Sequence, residues 1–140
     1  MSTDHILKVS IVTPAAPAFE GAALAVTVPG SNSPFQVLYN HAPIISSLEI
    51  GVVKIEDPAN KMVVFAAKEG FVEVLRNNVN IVVEELVDAT TINATDAEDH
   101  VDRARAHYND VSGREAKEAA LRDLHWAEAQ WRAAKLARGL

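Results

Sequence analysis

The feature that most constrains the fold of this 140-residue chain is a single change in hydrophobic period near residue 87. Before it, β-branched and other apolar residues recur at every second position, as in Leu7, Val9 and Ile11. That period is typical of strands with one face in a core. After it, alanine, glutamate and arginine dominate and no proline occurs, which favours helices. The sequence therefore predicts an α+β fold: an N-terminal antiparallel β-sandwich followed by a C-terminal antiparallel two-helix hairpin.

Turn-forming residues divide the first part into many short strands. Pro29-Gly30, Asn40–Pro43, Asp57–Asn60 and Asn77-Asn78 all suit tight backbone turns. We expect Asn77-Asn78 to close a hairpin, because asparagine tolerates positive φ. Several strands are also fairly apolar on their second face, which we interpret as a consequence of two sheets packing on each other. No helical pattern interrupts the strands, which argues against a parallel βαβ sheet.

The second part is predicted to contain two helices of roughly 96–111 and 114–138, with Ser112-Gly113 as the break. Residues 95–98, Thr-Asp-Ala-Glu, have the pattern of a capping box, and 87–92 reads as a short polar linker. We expect one apolar stripe on the second helix, anchored by Leu124 and Trp131, to dock the hairpin. The predicted organisation is a sandwich domain at 1–87, a linker at 88–95 and a helical hairpin at 96–140.

Composition narrows the classes of function. The net charge of −6 argues against sequence-independent binding to nucleic acid phosphates. The absence of cysteine excludes disulfides, thiolate metal sites and cysteine nucleophiles. The N-terminus lacks a basic segment followed by an apolar run, and no apolar stretch is long enough to cross a bilayer. We expect a soluble cytoplasmic protein.

Residue types that can act in catalysis are present, but their spacing in the sequence does not suit an active site. None of the six glycines forms a phosphate-binding loop with a following Lys-Ser or Lys-Thr. Glu84 and Glu85 are strand neighbours, so their carboxylates point to opposite faces. His100 and His107 share a helix face, but no third ligand is spaced with them. We expect no catalytic residue, no metal site and no cofactor, and therefore not an enzyme.

One histidine stands out by its position. The strand-like runs Phe35–Tyr39 and Ile44–Leu48 flank a short connection that contains His41 and Pro43. Pro43 lacks an amide proton and biases Ala42 toward extended geometry, so this connection cannot be the middle of a central strand. His41 then lies at the tip of a sheet, where recognition residues are often presented. A histidine bonded only to its own loop is the alternative that the residues leave open.

Several segments, in this order, resemble the epsilon subunit family of F-type ATP synthases, and the resemblance covers essentially the whole chain. They are Leu7–Pro14, Phe19–Gly21, Phe35–Ile44 with its His-Ala-Pro, Gly51–Ile55, Gly70–Val74 and Val101–Ala106. The chain departs from the family at Ser33–Gln36, where a Gly-Glu-Leu/Phe-Gly loop is frequent. It also departs at Glu69, where the family often has the first glycine of a Gly-Gly pair.

The resemblance implies a non-catalytic central-stalk subunit, part of the rotor that couples proton translocation to ATP synthesis. The sandwich would bind the gamma subunit and rest against the ring of c subunits. It would be peripheral to the cytoplasmic face of an energy-transducing membrane, a bacterial plasma membrane. The residues that the resemblance assigns to these subunit interfaces are Ser33, Phe35, Tyr39, Asn40, His41 and Pro43.

Some bacterial members of the family bind ATP where an Asp-x-x-Arg-Ala motif meets the second helix. Asp102 and Arg105 occupy the motif positions here, and Arg122 lies nearby on the second helix. Trp126 and Gln130 fall where arginines would help to hold phosphates. Because charge-assisted contacts supply much of phosphate affinity, we expect weak ATP binding or none.

The resemblance also implies that the C-terminal hairpin is a mobile regulatory element. Its extended form would run along gamma to the alpha and beta catalytic subunits, where Arg114 and Arg132 could meet acidic surfaces and slow ATP hydrolysis. Two alternatives remain open. The hairpin could stay docked on the sandwich permanently, or the chain could be a stand-alone nucleotide-sensing β-sandwich with a helical lid.

Overall fold

A computed structural model describes residues 5–139, and within that range ten strands form two five-stranded sheets and two α-helices follow. The strands are β1 Leu7–Val12, β2 Pro17–Ala23, β3 Ala25–Val28, β4 Phe35–Leu38, β5 Ile44–Leu48, β6 Gly51–Glu56, β7 Met62–Ala67, β8 Gly70–Leu75, β9 Asn78–Val83 and β10 Leu86–Asp88. A short 3-10 helix at Ala89–Thr91 leads into α1 (Ala94–Asp110) and α2 (Arg114–Ala137). The predicted α+β order of sandwich and hairpin is confirmed.

The two sheets pack face to face. The front sheet has the strand order β2-β1-β9-β8-β5, and the back sheet has the order β10-β7-β6-β3-β4. Neighbouring strands run antiparallel, except that β1 pairs with β9 in parallel. Parallel neighbours need a long connection. Here, most of the sandwich lies between β1 and β9, and no crossover helix is used.

The core lies between the sheets and follows from the period-two pattern. Alternate residues of each strand point inward, and Leu7, Ile11, Ile55 and Ile81 are completely buried there. Valines fill most of the remaining positions. Among the described residues, no polar or charged residue is buried. A dry core of branched side chains at interior packing density resists deformation.

The outer face of the back sheet is covered by α2. Val52, Val64 and Ala66 point away from the sandwich core and pack with Ala133 and Trp126 of α2. This contact explains why β6 and β7 are apolar on both faces. The two helices join at Gly113, which has a φ of +94°, a conformation that glycine adopts at little cost.

The apolar stripe of α2 has a different partner from the one predicted. Leu124 and Trp131 pack within the hairpin against Val101 and Ala104 of α1, whereas the sheet is contacted mainly through Trp126 and Ala133. The prediction that Leu124 and Trp131 dock the hairpin on the sandwich is therefore wrong for Leu124. A helix between another helix and a sheet needs two stripes, and the bulkier one faces α1. Trp131 also touches the segment that enters α1.

Local boundaries differ from the predicted ones by one or two residues. The hairpin between β8 and β9 turns at Arg76-Asn77, with φ values of 50° and 64°, one residue before the predicted turn. The α1 N-cap is Asn93, whose side chain accepts a hydrogen bond from the backbone amide of Asp96 at 3.0 Å. The prediction of a capping box at 95–98 is therefore wrong. Asparagine is a favourable N-cap, and α1 accordingly starts at Ala94.

The segment predicted as a polar linker contains ordered structure. Leu86 and Asp88 pair with Ala67 and Phe65 of β7, so β10 forms an edge of the back sheet. The Asp88 side chain then accepts from the amide of Thr90 at 2.8 Å and starts the 3-10 helix. The division into 1–87, 88–95 and 96–140 as independent units stays a prediction.

We predict that a chain truncated after Thr91 still folds cooperatively, because the core between the sheets contains no residue from either α-helix. Its free energy of unfolding should be a few kcal/mol lower, since Val52, Val64 and Ala66 lose their cover. Urea unfolding followed by circular dichroism, with the full chain as control, measures this. Aggregation or a gradual, non-cooperative transition would show that the helices complete the sandwich.

Candidate subunit interface and hairpin dock

The connection that carries His41 joins the two sheets at their edges. It leaves β4, an edge strand of the back sheet, and enters β5, an edge strand of the front sheet. A turn begins it, in which the amide of His41 donates to the carbonyl of Leu38 at 3.0 Å and Asn40 has a φ of 64°. Asparagine tolerates this left-handed conformation better than most residues. The predicted position of His41 on a connection is confirmed.

The imidazole of His41 is held by its own segment. Its Nδ1 donates to the carbonyl of Ala42 at 2.7 Å, which leaves Nε2 as the ring acceptor. The ring also stacks on Phe35, with centroids 6.3 Å apart and planes inclined by 30°. The loop contact and a recognition role are therefore compatible, because one ring nitrogen is used locally and the other has no hydrogen-bond partner within residues 5–139.

Asn40 fixes the connection to the neighbouring β8–β9 turn. Its amide donates to Oδ1 of Asn77 at 2.7 Å, and Nδ2 of Asn77 donates back to Oδ1 of Asn40 at 3.4 Å. Tyr39 lies edge-on against His5, with ring centroids 4.9 Å apart. Pro43 is exposed beside them. The structure thus brings Phe35, Tyr39, Asn40, His41 and Pro43 into one small region with a fixed shape.

Ser33 belongs to a separate loop, before β4. The loop is tied to β5, because the amide of Ser31 donates to the carbonyl of Ser47 at 3.1 Å and the two hydroxyls bond at 2.8 Å. A Cβ on Gly30 would lie 2.6 Å from the carbonyl oxygen of Ser33, so this tight path requires glycine. Ser33 is exposed at its tip.

A feature that sequence reasoning missed is the apolar outer surface of the front sheet. Ile45 is 74% exposed, Phe71 48% and Leu75 45%. These side chains lie on β5 and β8, which are paired so that Ile45 faces Glu73 and Ser47 faces Phe71, and the exposed apolar residues therefore alternate with polar ones. A shallow groove of about 360 Å³ runs beside Pro43 between these two strands. The adjacent apolar pair Ile44-Ile45, one inward and one outward, was the sequence signal.

The opposite side of the sandwich is the hairpin dock, and an ion pair marks its rim. The guanidinium of Arg122 on α2 donates to both carboxylate oxygens of Glu69, in the β7–β8 turn, and the Nη2–Oε1 distance is 3.2 Å. Next to it, the Lys68 ammonium lies 5.3 Å from the Trp126 ring centroid and 3.2 Å from Glu85. Glu69 is one of the two positions at which the chain departs from the family.

The individual contacts of the dock are mostly small. Its buried residues are alanine and valine, which offer little area at about 25 cal/mol per Å², and Trp126 packs half-buried against them. The Arg122 and Glu69 side chains are 58% and 35% exposed, and exposed ion pairs contribute about 0–1 kcal/mol. Arg138 adds a hydrogen bond of 2.5 Å to the carbonyl of Ile92. The docked hairpin is therefore held by several contacts, of which the packing of Trp126 buries the largest side chain.

The residues predicted to bind ATP are held by different ion-pair partners. Arg105 lies 3.8 Å from Asp102 and 3.7 Å from Glu128, so its charge is balanced by two carboxylates. Arg122 is paired with Glu69 on the sandwich. Gln130 bonds to the carbonyl of Trp126 at 3.4 Å. The structure brings Asp102 and Arg105 together and pairs Arg122 with the sandwich instead, so their joint role in ATP binding stays a prediction.

The remaining regulatory candidates, Arg114 and Arg132, have exposed side chains on α2. Arg114 pairs with Glu118 at 3.2 Å, one turn along the same helix, and Arg132 is exposed near the back sheet.

Within residues 5–139, no three histidine or carboxylate side chains are grouped to hold a metal ion. Nor does that part of the chain contain a helix with the length and apolarity needed to cross a membrane.

Comparison with known proteins agrees with this architecture. Residues 6–89 match the family model of the ATP synthase delta/epsilon chain β-sandwich domain. The ATP synthase epsilon chain of Rickettsia felis is 40% identical over 92 residues, covering 64% of this chain and 82% of the relative. The chloroplastic epsilon chain of Chlamydomonas reinhardtii is 32% identical over 138 residues, covering 93% and 96%.

A solved structure supports the fold. A chain in the cryo-EM structure of the Euglena gracilis mitochondrial ATP synthase, OSCP/F1/c-ring, superposes with a TM-score of 0.80 and 18% identity, covering 91% of this chain and 80% of that one. The family model spans the sandwich, and the relatives extend the match through the helices. The chain belongs to the family of ATP synthase epsilon chains.

Proposed function

We propose that this chain is a non-catalytic rotor subunit in the central stalk of an F-type ATP synthase, where it couples proton translocation to ATP synthesis. Family membership supports this role. The structural observation that carries it is the asymmetry of the sandwich. The hairpin covers one outer face, whereas the other exposes Ile45, Phe71 and Leu75. Apolar side chains grouped on an exposed surface mark interaction sites.

The gamma subunit is the partner we assign to the front sheet and to the His41 connection beside it. The exposed apolar residues supply the area, and the fixed region around Asn40 and His41 supplies directional contacts. The c ring is assigned to the Ser33 loop. In such an arrangement, torque passes through the sandwich, and the dry, closely packed core limits its deformation.

We place the protein at the periphery of the membrane, through its complex, on the cytoplasmic face of a bacterial plasma membrane. The sandwich (1–87) makes the contacts within the stalk, residues 88–95 link it to the hairpin, and the hairpin (96–140) regulates ATP hydrolysis. In the regulatory step, the hairpin leaves the dock and extends toward the alpha and beta catalytic subunits, with Arg114 and Arg132 toward their acidic surfaces. The small energy of the dock supports this exchange, since a shallow equilibrium is easily shifted.

The alternative, a nucleotide sensor with a helical lid, gains no support from the charges in the hairpin. Arg105 and Arg122 are both paired with carboxylates, so a nucleotide would have to break ion pairs before it gained phosphate contacts. Weak ATP binding or none remains our expectation. No cofactor is assigned.

The stalk assignment predicts that His41→Ala and Ile45→Asp each weaken binding to purified gamma by about tenfold or more, the usual cost of losing a central interface residue. Neither change should lower the unfolding midpoint appreciably, because both side chains lie outside the core. Calorimetric titration of gamma measures the affinity.

Met62→Asp is the matched control for Ile45→Asp. Met62 is 55% exposed on β7 of the back sheet, away from the proposed surface, and its replacement introduces the same charge. Wild-type affinity in both His41→Ala and Ile45→Asp, or an equal loss in Met62→Asp, would contradict the assignment of this surface to gamma.

The ion pair between Arg122 and Glu69 predicts how a charge change affects the docking of the hairpin. Glu69→Gln removes the partner of Arg122 and should make the hairpin leave the sandwich about two- to fivefold more often, which corresponds to about 0.5–1 kcal/mol. The rate of tryptic cleavage within the hairpin reports this opening. Added salt should speed cleavage of the wild type and have little effect on the variant, because salt screens exposed ion pairs.

Glu118→Gln removes the same charge from the Arg114 pair, which lies within α2 and does not touch the sandwich. It should leave the cleavage rate unchanged. Equal cleavage rates for wild type and Glu69→Gln at every salt concentration would show that the ion pair does not hold the dock.

In the assembled complex, deletion of 114–140 should raise ATP hydrolysis while synthesis is retained.

A further inference from the structure

A cleft separates the C-terminal half of α2 from the outer face of the back sheet. It has a volume of about 170 Å³ and lies beside the contact between Val52 and Ala133. One wall contains Thr27 of β3 and Lys54 of β6, and the other contains Arg132 and Leu136 of α2. The cleft thus combines two cationic side chains and a hydroxyl with apolar walls.

Neither cation is neutralised by the described part of the chain. Within residues 5–139, no carboxylate lies within 4.0 Å of Lys54 or Arg132. Glu128, one turn before Arg132, is directed to Arg105 at 3.7 Å. Glu56 is two residues beyond Lys54 on the same face of β6, yet it makes no ion pair with Lys54. The two facing walls therefore carry like charges, which an anion between them would offset.

We propose that this cleft binds a phosphate monoester, whose dianionic group bridges Lys54 and Arg132. The planar guanidinium of arginine suits two phosphate oxygens at once, and lysine adds a compact charge. The Thr27 hydroxyl can donate a further hydrogen bond. The cleft of about 170 Å³ leaves room for a short organic group against Val52 and Leu136.

The ligand would couple binding to the position of the hairpin. Lys54 belongs to the sandwich and Arg132 to α2, so both are within reach of one phosphate only while the hairpin is docked. A ligand that prefers the docked form stabilises it, and the docked form in turn binds the ligand more tightly. This inference goes beyond the stalk role. Binding of a phosphate ester to the isolated full chain can succeed or fail independently of whether the chain binds the gamma subunit.

The direct test is calorimetric titration of the full chain with n-propyl phosphate and with inorganic phosphate. We expect propyl phosphate to bind more tightly, because its chain can contact the apolar walls. Lys54→Gln and Arg132→Gln should each weaken binding by about tenfold or more, as expected for the loss of a charge-assisted contact. Saturating ligand should also slow tryptic cleavage within the hairpin.

Two matched controls remove the same charges from exposed positions outside the cleft, Lys61→Gln on the sandwich and Arg103→Gln on α1. They should leave the affinity unchanged. Circular dichroism and the unfolding midpoint establish that all four variants are folded. No binding of either phosphate at up to ~10 mM, or equal losses in cleft and control variants, would overturn the proposal.

The source of the ester is distinguished by a sedimentation assay with vesicles that contain phosphatidic acid. Retention that is lost in Lys54→Gln and Arg132→Gln, but kept in the controls, supports the cleft and assigns the ester to a lipid headgroup. Binding of propyl phosphate without retention supports the cleft and assigns a soluble ester. Retention that persists in both cleft variants, without propyl phosphate binding, would contradict the site.

Discussion

The packing of α2 on β6 and β7 is the interaction on which the arrangement of the molecule depends. These two strands are buried on both faces: Ile55 and Phe65 point into the sandwich, and Val64 points toward Trp126. The hairpin occupies this face, whereas no element within residues 5–139 covers the outer face of the front sheet. One contact therefore determines which of the two outer faces the described chain covers, and the other is the face that we assign to a partner.

The two halves of the protein differ in how firmly they are held. The sandwich core is a continuous set of branched side chains with no buried polar residue among those described. The dock instead combines contacts of alanine, valine and Trp126 with the exposed Arg122–Glu69 pair. A rigid body with a weakly held appendage suits the proposed rotor subunit, which would transmit torque and also regulate. The cleft at Lys54 and Arg132 lies at the boundary between the two, where the proposed ligand would act.

Much of this fold could be predicted because its signals are local. Period-two alternation located most of the strands, and the alanine-rich composition located both helices to within two residues. The 3-10 segment and β10 were missed because a strand of three residues carries almost no periodicity, and its pairing with β7 is non-local. For the same reason the Arg122–Glu69 pair, 53 residues apart, could not be read from sequence. His41 was located by Pro43, but its contacts with Phe35 and Ala42 required the structure.

Native-state hydrogen exchange of the full chain tests most directly the central claim, that a shallowly docked hairpin sits on an autonomous sandwich. We predict that amides of α2 exchange through openings of a few kcal/mol, well below the free energy that protects β1, β8 and β9. The α2 openings should also be insensitive to low urea concentrations, which would affect global unfolding more strongly. Exchange of α2 and the sandwich strands with one common free energy and one common urea dependence would contradict the claim, because the two parts would then unfold as a single unit.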